Sequence, residues 1–209
     1  MILRFALFAA LLATPAIAQD VPAPPPPAPV TKPATVRVTL TTTEGPIVLE
    51  LEKERAPVTT ANFLRYVDAK RFDGIAFFRA MKLSWGGLIQ AGVRDARKLY
   101  PPIAHEPTTQ TGLSHVEGAI SMARMEPGTA TGDFTIMVGD MTGLDANSKG
   151  TGDTAGYAVF GHVAEGMDVV KRILDAPTSP TLGEGVMKGQ IIADPVKILT
   201  ARRIPSPTP

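Results

Sequence analysis

Arg79 is the residue whose chemistry most needs a reason. It follows Phe77 and Phe78 in the stretch Phe72 to Gly92, FDGIAFFRAMKLSWGGLIQAG, and Gln90 stands further on in a glycine-bounded apolar run. A guanidinium stays charged at every accessible pH, offers donors in a rigid fork, and is costly to bury unpaired. At the edge of an apolar strand it suits either an ion pair with an acid or the stabilisation of a polar substrate group. Gln90 adds a donor and an acceptor without adding charge. Other chemistries are poorly provided for. The chain has no cysteine, which excludes thiolate catalysis, disulfides and cysteine-ligated zinc. His105, His115 and His162 are scattered, and even with Glu106, Asp133 and Asp140 they make a poor case for a metal, so none is expected. The serines and histidines suggest no nucleophilic triad, and His115 reads as a loop or strand-edge contact. Gly150 to Gly156, GTGDTAG, lacks the Gly-Lys-Ser/Thr of a phosphate loop and reads as a flexible loop.

The elements that must position these residues follow from the rest of the chain. With 209 residues, 44% hydrophobic and 20% charged, at net charge +1, the chain fits one main core and gives no electrostatic case for nucleic acid. Residues 1–18 have the layout of a secretory signal peptide. Arg4 precedes the apolar run Phe5 to Ala13, and Ala16-Ile17-Ala18 is a small-x-small cleavage site before Gln19. The apolar run is too short to span a bilayer, for which about 20 residues are needed. A periplasmic or secreted protein, with no stable membrane insertion after cleavage, is therefore expected. Loss of Arg4 would leave 20 basic against 20 acidic residues. Residues 19–35, rich in proline and alanine, read as an extended polyproline-like linker.

The folded domain is expected over residues 36–204, with 205–209 as a tail. Val36, Val38 and Leu40 alternate with polar residues as in a half-buried strand, and Ile47 to Leu51 reads as its hairpin partner after the turn Thr43-Glu44-Gly45. Pro57 opens a helix with Val58, Ala61, Leu64 and Val67 as its apolar stripe. Ile75 to Met81, Gly118 to Ala123, Phe134 to Val138, Tyr157 to His162 and Ile191 to Thr200 read as further strands, and Glu165 to Leu174 as a second helix. The prolines at 101, 102 and 107 argue for loop between them. Seven or so short strands with two helices suggest a mainly β fold, a closed barrel capped by helices.

Six blocks in order resemble the cyclophilin family of peptidyl-prolyl isomerases. They are Ala56 to Phe63 (APVTTANF), Phe72 to Arg79 (FDGIAFFR), Ile89 to Gly92 (IQAG), Gly118 to Arg124 (GAISMAR), Val159 to Val163 (VFGHV) and Glu165 to Val170 (EGMDVV). Met122-Ala123-Arg124 and Tyr157 resemble the bacterial branch. The resemblance implies an eight-stranded antiparallel barrel closed by two helices, and catalysis of X–Pro bond rotation in proline-containing polypeptides; a monomer is expected, though the residues themselves do not determine the oligomeric state. No cofactor is needed. The barrier of about 18–20 kcal/mol comes from amide resonance, and it falls when a donor stabilises the pyramidal proline nitrogen of the twisted state. On this reading Arg79 is the catalytic donor, and Gln90 holds the substrate backbone and orients Arg79.

The walls depart from the family pattern. Two or three extra residues around Lys82 to Trp85 separate Arg79 from Gln90. Gly87 and Leu88 align with the family's pocket phenylalanine and methionine, and Asp133-Phe134-Thr135-Ile136 stands where relatives carry Gln-Phe-Phe-Ile. Gly143 aligns with a loop tryptophan, beside a retained Leu144. Substrate contacts are thus expected from Leu88, Ala123, Arg124, Asp133, Thr135, Leu144 and Tyr157. Trp85, the sole tryptophan, either folds back over the gap or packs on the barrel. Phe134 and Met122 read as core. The alternative to an active isomerase is a weak or inactive module that keeps the barrel and binds proline-containing chains.

Overall fold

The computed structural model describes residues 33–147 and 153–205. The expected signal peptide, most of the linker, part of the Gly150 to Gly156 loop and nearly all of the tail lie outside them. In chain order the elements are β1 (Val36–Thr42), β2 (Gly45–Leu51), α1 (Pro57–Asp68), β3 (Ala76–Leu83), β4 (Gly86–Gly92), α2 (Thr108–Thr111), β5 (Ala119–Met122), β6 (Phe134–Val138), β7 (Ala158–Glu165), α3 (Met167–Asp175) and β8 (Ile191–Arg203).

The eight strands form a closed antiparallel barrel in the order β1-β2-β7-β5-β6-β4-β3-β8. Closure leaves no unpaired sheet edge. The seam joins the first strand to the last, with Val38 opposite Arg203 and Leu40 opposite Ala201. Inward residues follow the period of two: Val38 and Leu40 on β1, and Ile47, Leu49 and Leu51 on β2, are fully buried. Helix α1 packs on β7 and β8, and α3 on β2, β3, β4 and β6. Phe63 of α1 is the hub of the core. Its ring lies 4.8 Å from Phe72, 5.2 Å from Phe134 and 5.4 Å from Phe160, tilted or edge-on to each, the arrangement that aromatic quadrupoles favour.

Two local expectations need correction, and one stretch left unassigned by the residue pattern is now placed. The apolar stripe of α1 is not the one predicted: Val58 and Ala61 are exposed, while Thr59, Thr60, Phe63, Leu64, Tyr66 and Val67 face inward. The reason lies at the helix start. Pro57 occupies the first turn and Ala56 makes no side-chain cap, so the free N–H groups of Val58 and Thr59 donate to the Glu106 carboxylate at 3.0 and 2.7 Å. The Thr59 hydroxyl donates to it as well, at 2.6 Å. A buried acid from a distant loop thus caps the helix and meets its positive end, which draws the threonine side of the helix inward. The same loop holds a third helix, the single turn α2. It begins after Pro107 and ends at Gly112, whose φ of 67° is the left-handed conformation of a C-terminal cap. Finally, Gly86 to Gly92 is a full strand. Methyl groups on Gly86 and Gly87 would overlap the carbonyls of Val138 and Met81, so these glycines are what close strand contact demands.

Candidate active site

The site grows from a bulge in β3. Phe77 and Ala80 both point into the core, at 0% and 2% exposure, a spacing of three that a regular strand cannot deliver. The register of β3 against both β4 and β8 shifts between Phe77 and Arg79, and this extra residue turns Arg79 to the outer face of the barrel. Arg79 then sits directly opposite Gln90 on β4, Gln90 opposite Thr135 on β6, and Thr135 opposite Ser121 on β5. Directly opposed residues share a face, so four strands carry one polar row. Two residues along runs an apolar row, Met81, Leu88 and Met137, paired in the same way. The two rows line one outer cleft of about 600 Å³.

Arg79 is tethered by neutral oxygens. Its Nε donates to Gln190 Oε1 at 2.8 Å and its Nη1 to Gln90 Oε1 at 3.1 Å, while Nη2 meets only the Met81 sulfur at 3.8 Å. Among the described residues no carboxylate pairs with it, so the ion-pair explanation for this arginine does not hold. Partial burial lowers its pKa from the ordinary arginine value, yet a guanidinium stays charged at any pH of interest.

Gln90 is oriented from its other end. Its Nε2 donates to Asp133 Oδ2 at 3.3 Å, and Arg94 Nη2 donates to the same oxygen at 2.8 Å. Asp133 therefore turns the amide so that its oxygen faces Arg79. Gly92 makes this possible, since a methyl there would overlap the Asp133 carboxylate. Burial raises the Asp133 carboxyl pKa, against the opposing pull of Arg94 and Gln90. Arg94 also stacks on Phe78, 3.7 Å from the ring centroid. Across the cleft, Arg124 lies over the Tyr157 ring at 4.8 Å and is held by the Gly156 carbonyl and by Asp153 at 2.8 Å.

Of the residues singled out from the sequence, Arg79, Gln90, Leu88, Ala123, Arg124, Asp133, Thr135, Leu144 and Tyr157 all line this cleft. Trp85 does not. It sits at the tip of the β3–β4 hairpin, beyond the last pair Leu83 and Gly86, with 58% of its surface exposed. Sequence reasoning missed Met81, Met137 and Met187, which restore apolar wall where Thr135 replaces an aromatic ring. It also missed Arg94 and Gln190. Met81 and Met137 join Leu88 only through the pairing of three strands, and nothing local marks Gln190, which arrives from a loop before β8.

The fold also assembles a hydrogen-bonded chain that residue spacing did not suggest. His115 Nε2 lies 2.9 Å from Ser121 Oγ, and His115 Nδ1 lies 2.6 Å from Asp145 Oδ1, while Ser114 bonds the other Asp145 oxygen. His115 is fully buried, and burial lowers its pKa despite the Asp145 bond that opposes it. The neutral ring donates from Nδ1 to Asp145 and accepts the Ser121 proton at Nε2. Ser121 is itself 1% exposed, and its hydroxyl is committed to the histidine. The chain anchors the loop carrying Leu144 to the floor of the cleft.

Comparisons with known proteins bear on the family and the fold. A family model described as cyclophilin type peptidyl-prolyl cis-trans isomerase/CLD matches residues 37–202. A peptidyl-prolyl cis-trans isomerase of Acinetobacter baylyi is 35% identical over 172 residues, 81% of this chain and 86% of the relative. One from Streptomyces antibioticus is 37% identical over 166 residues, 78% of this chain and 98% of that one. The crystal structure of a Cryptosporidium parvum cyclophilin type isomerase superposes with a TM-score of 0.66 at 19% identity, covering 83% of this chain and all of its own. The same protein has been crystallised in the presence of the dipeptide Ala-Pro, with a TM-score of 0.65.

Proposed function

This chain belongs to the cyclophilin-type peptidyl-prolyl cis-trans isomerases and is an enzyme of that class; from this premise we propose that Arg79 is the group that lowers the X–Pro barrier and that the clients are exported polypeptides. The observation that carries the first part is the unpaired guanidinium. Arg79 is held by two amide oxygens and offers Nη2 to the cleft. As the X–Pro bond twists, the proline nitrogen loses amide resonance and gains a lone pair, which a fixed cationic donor stabilises more than it stabilises the planar ground state. Were Arg79 paired with a carboxylate, much of that charge would be spent on its partner. Met81, Leu88 and Met137 offer the proline ring an apolar seat, and Gln90 is placed to meet the flanking backbone while keeping Arg79 aimed. The protein acts as a monomer on this reading.

The export part rests on the layout of residues 1–18, with its basic start, apolar run and Ala16-Ile17-Ala18 site. Its test is the mass of the protein recovered outside the cytoplasm, which should lack residues 1–18; an intact Met1 to Pro209 chain there rejects it. For the chemistry, NMR exchange on an Ala-X-Pro peptide should show acceleration by the wild type. Arg79→Ala should reduce kcat/KM at least tenfold, about 1.4 kcal/mol of barrier. Arg79→Lys should not restore it, because an ammonium lacks the fork that the two glutamines hold. Unchanged turnover in Arg79→Ala removes this arginine from the mechanism.

A further inference from the structure

The β3–β4 hairpin ends in the two-residue tip Ser84-Trp85, closed by the Leu83–Gly86 pair. Such a tip calls for small polar residues, yet it exposes the one tryptophan of the chain beside the half-exposed Leu83. Gly139, at φ 82°, lies beneath the indole, and a methyl there would come within 3.1 Å of the Trp85 carbonyl and 3.6 Å of its Cε3. Between the indole and the turn Asp140 to Leu144 is a hollow of about 340 Å³. Gly143 lines it without a side chain, and a methyl there would meet nothing within 4 Å. The one charged group lining it, Asp140, already accepts the Glu117 N–H at 2.9 Å. Leu144 lines both this hollow and the main cleft.

We propose that the hollow beside Trp85 is a second subsite for the polypeptide whose proline occupies the main cleft, taking an apolar side chain of that same chain a few residues away. The inference rests on the cleft being where the X–Pro bond is turned over. A chain leaving the cleft past Leu144 meets the hollow directly. A leucine or phenylalanine there would cover the exposed indole face, whereas an acidic residue would face Asp140. Aromatic side chains are effective anchors because they bury a large area with few rotors to freeze.

Because Trp85 is the sole tryptophan, its fluorescence reads the subsite directly. The probes are an all-alanine peptide with one central proline, and variants carrying leucine or phenylalanine two to four residues to either side. We expect the best apolar variant to shift Trp85 emission to the blue and to raise kcat/KM about fivefold over the all-alanine peptide, as partial burial of one large side chain allows. That ratio should fall to about one in Trp85→Ala, which removes the indole wall while leaving Arg79 and Gln90 in place. Turnover of all peptides with equal kcat/KM and unmoved emission overturns the subsite and leaves the isomerase site standing. No turnover of even the all-alanine peptide removes the isomerase reading on which it rests. An emission shift that follows protein concentration without peptide assigns the hollow to a second copy and overturns the proposal.

Discussion

Asp133 brings an anionic group to the wall of the cleft, answered there by Arg94 and the Gln90 amide. Since burial raises its pKa above the ordinary 3.8, Asp133 takes up a proton before ordinary carboxylates do as pH falls. Protonation weakens the anchor of Gln90 Nε2, lets the amide turn, and costs Arg79 the oxygen that aims it. The expected outcome is an acid limb in kcat/KM that begins above the ordinary carboxylate range. The loss should be about fivefold, the net worth of one hydrogen bond at about 1 kcal/mol. Asp133→Asn should abolish this limb, and pH–rate profiles of the two proteins check it. A limb of the same position and depth in the variant assigns the titration elsewhere.

The loop from Leu113 to Glu117 behaves as an element of its own, pinned to β5 by His115. An imidazole whose folded pKa lies below the ordinary 6.5 contributes stability that is fully present above that value. It is lost as pH falls below it, because the unfolded chain gains a proton that the buried ring resists. The urea midpoint should therefore drop between about pH 7.5 and about pH 5.5. His115→Gln should flatten that slope while costing about 1–3 kcal/mol near neutrality from the buried partners left unpaired. An equal pH slope in both proteins clears His115 of the effect. Elements of this kind mark the limit of what the chain discloses in one dimension. β1, β2 and α3 carry period-two or period-3.6 patterns and were readable. The bulge at Phe78 was not, because Phe77, Phe78 and Arg79 look like any apolar strand followed by a charge, and only the pairing register reveals two consecutive outward residues. β4 was hidden by its glycines, whose purpose is contact with Met81 and Val138 carbonyls. The Glu106 cap and the His115 chain join residues far apart in sequence, and no local pattern announces them. Arg79 and Gln90 were legible as unusual residue types and through the resemblance, which also paired them; the Gln190 and Asp133 contacts that fix the pair were not.

At the scale of the molecule, one core carries the barrel, and Phe63 links α1 to β6, β7 and the segment before β3. Phe63→Ala should cost about 3–5 kcal/mol, read as a lower urea midpoint at unchanged slope. A loss under about 1 kcal/mol would mean that the surrounding rings close the gap. The seam between β1 and β8 has a consequence of another kind, in time rather than energy. Pairing Val38 with Arg203 joins the two ends of the barrel, so closure waits until the last strand is available, and such long-range contacts are the slow ones. The residue just ahead of that strand is Gln190, which holds Arg79 Nε, and the Gln190 carbonyl accepts the Ala80 N–H at 2.8 Å. A chain interrupted before Gln190 would thus possess Arg79 but lack one of the two oxygens that aim it, and the strand that closes the barrel. Catalysis arrives together with closure, so an unfinished copy of this enzyme is silent rather than partly active.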